Sequence, residues 1–516
     1  MRTVAQRLVE WLESLGTEIV FGIPGVHTIE LYRALPGSGI RHVTARHEAG
    51  AGFMADGYAR VSGRFGVALV ITGPGVTNIL TPMAQARADS VPMLVISGVN
   101  ARPTLGQGLG HLHELPDQLA LTRTLGPAFQ LDSPEALPGI LAEVGRALTR
   151  GRGGPVHLQI PIDLMDAPAP GPEPHTDAPT GCGLDLEQAR QMLGRSQAPV
   201  ILAGGGCRRT EAELRALAEA LDAPVVQTAN ARGLMHGHPL TVPASPSLEP
   251  VRKLIRDSDA VLVAGSELGP TDFDIYADGG MPDLSSMIRV DICAAQLARH
   301  PAAMTLQADV REVLPLLAGR TASDYGAGRA AVAREAALAA LSAPLREDVD
   351  LLAELRSARP DALFVGDSTH VVYAGNLYHD HDRPGGWFNA ATGYGALGYA
   401  TGAAVGASLA APGVPVLCLI GDGGLMFSPG EVLTAVEEGL DITFLVFNNH
   451  GFGEIASAMR DAGAEVLGCT PAPPDFHGFA SACGLPFERC AKGDAAAALH
   501  GHRGPRMIEI ALPPVK

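Results

Sequence analysis

Short, mostly apolar runs punctuate the chain, many ending in a glycine-rich or polar turn ahead of a stretch of helical periodicity. In the first part they fall at residues 19–21, 42–44, 67–71 and 92–97; in the middle at 200–203, 261–263 and 288–291; in the last part at 363–365, 414–420, 442–447 and 507–510. Runs this short without polar alternation predict strands buried on both faces, as parallel sheets require. Between them, residues 4–15, 52–61, 326–341 and 427–440 carry helical patterns, the last with Ser428 as N-cap and Glu431 as its capping-box partner. Alternation at this spacing predicts an α/β fold of doubly wound parallel sheets, with ligands at the carboxyl ends of the strands. Residues 167–183, rich in Pro, Gly and Thr, read as a linker. The pattern divides into three domains, 1–168, 185–320 and 346–516, the first and third alike in architecture.

A chain of 516 residues is too long for one core, which agrees with that division. Its composition, 46% hydrophobic and 18% charged, is that of a globular enzyme rather than a disordered chain. The formal charge of −17 argues against nucleic acid and anionic membranes as partners and is compatible with a cationic substrate. The seven cysteines, at 182, 207, 293, 418, 469, 483 and 490, are odd in number and form no CxxC pair, so neither a zinc site nor a disulfide framework is expected. The amino-terminal stretch is an amphipathic helix pattern rather than a signal peptide, and the expected location is cytoplasmic.

The candidate chemistry concentrates in the last domain. Asp422 stands where the 414–420 run ends, inside Gly421-Asp422-Gly423-Gly424, and the next run delivers Asn448-Asn449-His450-Gly451 to the same sheet edge. The glycines let the backbone approach a ligand, and a carboxylate beside an amide oxygen makes a hard-cation and phosphate site. The run Gly204-Gly205-Gly206 falls short of a full GxGxxG fingerprint and reads as an ordinary turn.

Gly-Asp-Gly followed by Asn-Asn resembles the thiamine-diphosphate motif of the acetolactate synthase and 2-oxo acid decarboxylase superfamily, and the segment ARHEAGAGFMADGYAR around Glu48 is similar to that superfamily's pyrimidine-binding segment. The resemblance runs along nearly the whole chain and implies a pyrimidine-binding, a central and a diphosphate-binding domain. It implies that Asp422, the Asn449 side chain and the Gly451 carbonyl ligate Mg2+ beside Gly421, Gly423 and Gly424. Glu48 would act on the pyrimidine ring from a buried carboxyl, with Gly73 and Asn78 in the neighbouring loop. Ser368, Thr369 and His370 would meet the diphosphate from the other side. The Gly395 carbonyl would accept from the cofactor's amino group, and Leu397 would be the wedge that bends it, where acetolactate synthases commonly carry methionine. Glu48 would reach the cofactor of a second copy, so the resemblance implies a homodimer or homotetramer.

The residues over the reacting carbon set the reaction, and the candidates are His27, His113, Glu114 and Glu454. A histidine can deliver the proton that replaces CO2. The stretches 21–60, LHELPDQ and GSELGPTDFD resemble the enzymes that decarboxylate 5-guanidino-2-oxopentanoate to 4-guanidinobutanal in arginine breakdown. A guanidinium tail needs carboxylate partners, for which Glu114, Asp117, Glu267, Asp272, Asp274 and Glu454 are available. The alternatives are a flavin-free acetolactate synthase or another carboligase, and a non-catalytic paralogue; FAD is not expected, because the central domain lacks the flavin-binding pattern.

Overall fold

The structure, a computed structural model, describes residues 2–171, 186–273, 279–319 and 325–515. Most of the expected linker, together with Cys182 and Asp274, lies outside the described residues.

Each third of the chain builds a six-stranded, wholly parallel sheet. The first contains β1 (Ile19–Gly22), β2 (Arg41–Thr44), β3 (Gly66–Val70), β4 (Met93–Val99), β5 (Ala128–Gln130) and β6 (Pro155–Pro161), in the order β2-β1-β3-β4-β6-β5. The central one contains β7 (Pro199–Ala203), β8 (Val225–Gln227), β9 (Thr241–Val242), β10 (Ala260–Ala264), β11 (Ile288–Asp291) and β12 (Met304–Gln307), ordered β12-β11-β10-β7-β8-β9. The third contains β13 (Leu363–Gly366), β14 (Trp387–Asn389), β15 (Val416–Gly421), β16 (Ile442–Asn448), β17 (Phe487–Ala491) and β18 (Arg506–Ala511), ordered β14-β13-β15-β16-β18-β17. The outer two sheets therefore share one strand order, which gives detail to the likeness in architecture expected from the sequence. Both reverse between their first and third strands, the position at which open α/β sheets bind ligands.

The first and third domains pack as one body. Helix Glu48–Ser62 crosses helix Tyr399–Ala410 at glycines so close that a Cβ on Gly57 would lie 2.0 Å from the Ala403 carbonyl oxygen, and one on Gly406 would lie 1.9 Å from that of Met54. Residues of both domains share one core, including Phe53, Met54, Tyr399 and Val405. Glu431 corrects the capping-box expectation. The helix begins only at Glu431, with Gly430 as N-cap, and the Ser428 hydroxyl donates to the Gly398 carbonyl (2.6 Å). The Glu431 carboxylate instead accepts the backbone N–H groups of Arg46 (3.1 Å) and His47 (3.0 Å), stitching the third domain to the first. Both side chains of the expected box are committed elsewhere, Ser428 to the Gly398 carbonyl and Glu431 to buried interdomain donors that outcompete a local cap.

In the central domain, a Cβ on Gly204 would meet the Gly265 carbonyl oxygen at 2.4 Å and one on Gly206 would meet Gly265 at 2.9 Å, so close strand-end packing accounts for this glycine run. Among the described residues, no helix is long and apolar enough to cross a membrane.

Candidate active site

At the carboxyl edge of the third sheet, β15 ends at Gly421 and Asp422 opens the short helix Asp422–Leu425. Burial raises the Asp422 carboxyl above the usual carboxylate range, against the backbone N–H groups of Asn449, Gly423 and Gly451, which favour its charged form. The two asparagines after β16 divide their work. Asn448 donates to Glu509 (2.7 Å) and accepts the His450 N–H (3.1 Å), which makes it a structural residue. No protein donor among the described residues takes the Asn449 amide oxygen or the Gly451 carbonyl. Asp422, Asn449 and Gly451 thus offer an oxygen-only donor set of one carboxylate, one amide and one carbonyl, which fits a hard cation that keeps places for diphosphate and water.

The glycines need a different explanation from the one the sequence suggested. A Cβ on Gly423 would lie 2.5 Å from the Phe452 ring, and one on Gly424 would lie 2.9 Å from Asp367 Oδ1, so the chain itself fills the room they leave. Gly421 has Thr369 Oγ1 no nearer than 3.7 Å to its would-be Cβ and remains open. Thr369 caps helix His370–Leu377 without a side-chain bond, and Ser368 precedes it. His370 Nε2 and Glu454 Oε2 lie 3.0 Å apart, joining two residues that the sequence assigned to different tasks. Its hydrogen bond to the Glu454 carboxylate raises the His370 pKa, and the same bond lowers that of Glu454.

The remaining candidates from the first domain lie at the matching edge of the first sheet. Glu48 opens its helix half-buried, not buried as expected, and one carboxylate oxygen accepts from the Asn78 amide (2.9 Å). His27, on the turn Val26–Thr28, is only 7% exposed and meets His113 with ring centroids 5.3 Å apart. The Nδ1 atoms of both rings are buried without a hydrogen-bond partner. Burial, and then His113, lower the His27 pKa, which keeps that ring neutral at pH 7. His113 adopts a left-handed backbone (φ 61°), and its carbonyl occupies the space 2.5 Å from a Cβ on Gly73, so residue 73 must be glycine.

Gly395 is exposed with φ +76° and open space around it, and half-buried Leu397 follows two residues later, ahead of helix Tyr399–Ala410. Other candidates stand apart. The Glu114 carboxylate is taken by four backbone N–H groups of its own loop, Gly108 (2.9 Å), Leu109 (3.3 Å), Gly110 (2.7 Å) and His111 (3.0 Å), which organise residues 108–111. Asp117 is an N-cap that accepts from Ala120, Glu267 pairs with Arg152 (2.7 Å) and Arg299 (3.3 Å), and Asp272 accepts the Asn230 N–H (2.6 Å).

Three residues escaped the sequence reading. Asp367, fully buried at the end of β13, accepts from Ser368 (3.0 Å) and Ala400 (3.1 Å), and burial pushes its pKa up to about 6. Gln118 accepts the Gly73 N–H (3.0 Å) and the Thr72 hydroxyl (2.7 Å) and so holds the loop under His113. Gln85 reaches the segment that carries Gly395. Asp367 had a readable signal, since a strand running into Gly-Asp-Ser-Thr repeats the logic of Gly-Asp-Gly; the two glutamines had none.

Three family models match the chain in succession: the N-terminal TPP binding domain of thiamine pyrophosphate enzymes over residues 2–121, their central domain over 186–317, and their C-terminal TPP binding domain over 366–510. A Pseudomonas aeruginosa protein named "Probable 2-ketoarginine decarboxylase" is 42% identical over 92% of this chain and 87% of its own length. The Corynebacterium glutamicum acetolactate synthase large subunit is 33% identical over 88% of this chain and 76% of its own. The large subunit of Escherichia coli acetolactate synthase isozyme 1 is 29% identical over 99% and 94%. With all three domains matched in order, the chain belongs to the thiamine pyrophosphate (thiamine diphosphate) enzymes, in the branch of 2-oxo acid decarboxylases and acetolactate synthases.

Proposed function

We propose that the chain decarboxylates 5-guanidino-2-oxopentanoate (2-ketoarginine) to 4-guanidinobutanal and CO2, using thiamine diphosphate held through Mg2+. The observation that carries this reading is the pair His27 and His113, two facing imidazoles with buried, unpartnered Nδ1 atoms beside the Glu48 face. Bound here, thiamine diphosphate supplies the electron sink that lets CO2 depart. Asp422, Asn449 and Gly451 would hold the metal, Gly421 and the Ser368–His370 turn would flank the diphosphate, and Glu48 has a carboxylate oxygen left for a ring nitrogen. His27 and His113 relay the single proton that takes the place of CO2 on the substrate carbon, which balances the conversion of 2-oxo acid to aldehyde. Neutral His27 can accept and pass on that proton near pH 7.

The substrate assignment draws support from the 42% identity with the Pseudomonas protein. It also draws on Glu454, a half-exposed carboxylate at the diphosphate edge whose partner is a histidine and not a fixed cation. A homodimer completes the site on this reading. Exposed apolar side chains gather at the carboxyl edges of the outer sheets, among them Val26 (63% exposed), Leu112 (61%) and Phe427 (61%), and a second copy would cover them.

The test is steady-state CO2 release with 2-ketoarginine, pyruvate and benzoylformate. A preference for 2-ketoarginine of about a hundredfold, equal to about 2.7 kcal/mol in transition-state binding, supports the guanidinium reading. A preference for pyruvate with accumulation of acetolactate refutes it and identifies a flavin-free synthase. Absence of exchange at the C2 proton of bound cofactor would identify a non-catalytic paralogue.

A further inference from the structure

Gly395 and Leu397 lie in a loop, residues 390–398, that its own domain does not hold unaided. Three of its contacts come from the first domain, at the carboxyl end of helix Pro74–Ala88. Gln85, fully buried, accepts the Ala396 N–H on its side-chain oxygen (3.2 Å) and donates its amide to the Ala390 carbonyl (3.2 Å). The same amide donates to Asp89 Oδ2 (2.7 Å), which fixes the Gln85 orientation, because a flip would set oxygen against two acceptors and nitrogen against a donor. Asp89 then accepts the Thr392 hydroxyl (3.0 Å), along with Asn230 (3.2 Å) and the guanidinium of Arg60 (2.7 Å). From the central domain, the Thr271 hydroxyl donates to the Thr392 carbonyl (2.7 Å). Beyond the loop, the Tyr399 hydroxyl donates to Asp56 (2.6 Å), which also accepts from Arg60 (2.6 Å). Gly393 leaves no slack, since a Cβ there would lie 2.9 Å from Asp89 Oδ1.

A wedge works only if it resists the recoil of the ligand it bends. Leu397 and the positive-φ Gly395 sit just inside these anchors, and Gly395 has nothing within 4 Å of its would-be Cβ to brace it. We infer that Gln85 and Asp89, with Thr271 as a third anchor, are positioning residues that hold the 390–398 loop rigid so that Gly395 and Leu397 keep thiamine diphosphate bent for reaction. The inference rests on the reading of Gly395 and Leu397 as the cofactor-facing pair. It predicts a split in which anchoring through Asp422 and Asn449 survives while activation of the cofactor fails.

The experiment compares Gln85→Leu, Thr271→Val and Leu397→Ala in the full-length protein. It reads three quantities: thiamine diphosphate affinity by fluorescence titration with Mg2+, the rate of deuterium exchange at the C2 proton of bound cofactor, and the thermal midpoint. For Gln85→Leu, affinity should stay within about fivefold while exchange falls about thirtyfold or more, as a displacement near 1 Å produces. Thr271→Val removes one hydroxyl from the protein surface, so it leaves the fold intact even if Gln85→Leu does not, and should slow exchange by about fivefold. Leu397→Ala must slow exchange for the underlying reading of the loop to stand. If Leu397→Ala slows it and neither anchor variant does, the positioning role is overturned while the wedge reading survives. If Leu397→Ala leaves exchange unchanged, the wedge reading falls and the inference falls with it. Equal losses of affinity and exchange in Thr271→Val also overturn the inference, because the loop would then serve binding.

Discussion

His157 sits fully buried in β6, its Nε2 2.9 Å from the Ser97 hydroxyl and its Nδ1 2.8 Å from that of Thr122. Burial holds its pKa down to about 3. A neutral ring donates at one nitrogen and accepts at the other, and two hydroxyls satisfy it. A cation would have to be charged inside a site that excludes water, and no carboxylate among these partners compensates it. Because the folded pKa lies below the unfolded value of about 6.5, the stabilisation is complete above that value and is lost as pH falls from 6.5 toward 3. At pH 5 the unfolded chain has taken up its proton and the folded one has not, a difference of about 1.5 pH units or about 2 kcal/mol. This figure holds for any folded pKa well below 5, so it does not depend on how far burial depresses the group. His157→Gln keeps one donor and one acceptor and removes the titration. Urea unfolding at pH 8 and pH 5, followed by Trp11 in a Trp387→Phe background, measures both proteins. The stability gap between parent and variant should shrink by about 2 kcal/mol at pH 5. Other buried histidines, such as His381, titrate equally in both and cancel. A gap constant within about 0.5 kcal/mol would refute the argument and show that His157 titrates normally when folded.

Gly406→Ala drives a methyl against the Met54 carbonyl and should lower stability by about 1–3 kcal/mol in thermal melts, whereas Gly139→Ala, in helix Leu137–Thr149 with nothing within 4 Å, should be neutral or stabilising by up to about 1 kcal/mol. Glu114→Gln replaces the carboxylate that gathers the N–H groups of residues 108–111 and should depress kcat/KM for 2-ketoarginine and for a 2-oxo acid with an uncharged side chain alike, by about tenfold. A selective loss with 2-ketoarginine would place Glu114 against the guanidinium instead.

What the sequence made legible was whatever one strand and its turn encode. Runs such as 414–420 and 442–447 are almost wholly apolar because both faces of β15 and β16 are buried, and their polar exits, Asp422 and Asn449, mark the sheet edge. Strands that do a second job were invisible. β6 places His157 and Gln159 in the Gln118 network, so its pattern alternates where a buried parallel strand should not. β17 is an edge strand carrying Glu488 and Arg489, and β8 and β9 hold only three and two residues. Within the site, side chains tied to their own loop could be named but their partners could not. Glu114 and Glu431 looked like a substrate ligand and a helix cap because the donors that claim them are backbone groups, and in the case of Glu431 these lie 384 and 385 residues away. Long-range partners of this kind leave no periodicity.

The two outer sheets share a strand order but supply unlike chemistry, Glu48 and two imidazoles from one and oxygen donors from the other. Among the described residues, no hydrogen bond or ion pair links Glu48, His27 or His113 to Asp422, Asn449 or Glu454 of the same chain. If the proposed pairing of two copies completes the site, each centre takes Glu48 from one copy and Asp422 from the other, and complementation reads this directly. Glu48→Gln and Asp422→Ala should each be inactive alone. Co-expressed, half of the dimers are mixed, and in each of these one centre receives both lesions while the other receives none. Activity should return to about a quarter of the wild-type value, one intact centre of two in one dimer of two. Separately tagged chains, purified through both tags, should reach about half. If Glu48 instead served the cofactor of its own chain, every centre in every mixture would carry one lesion and no activity would return.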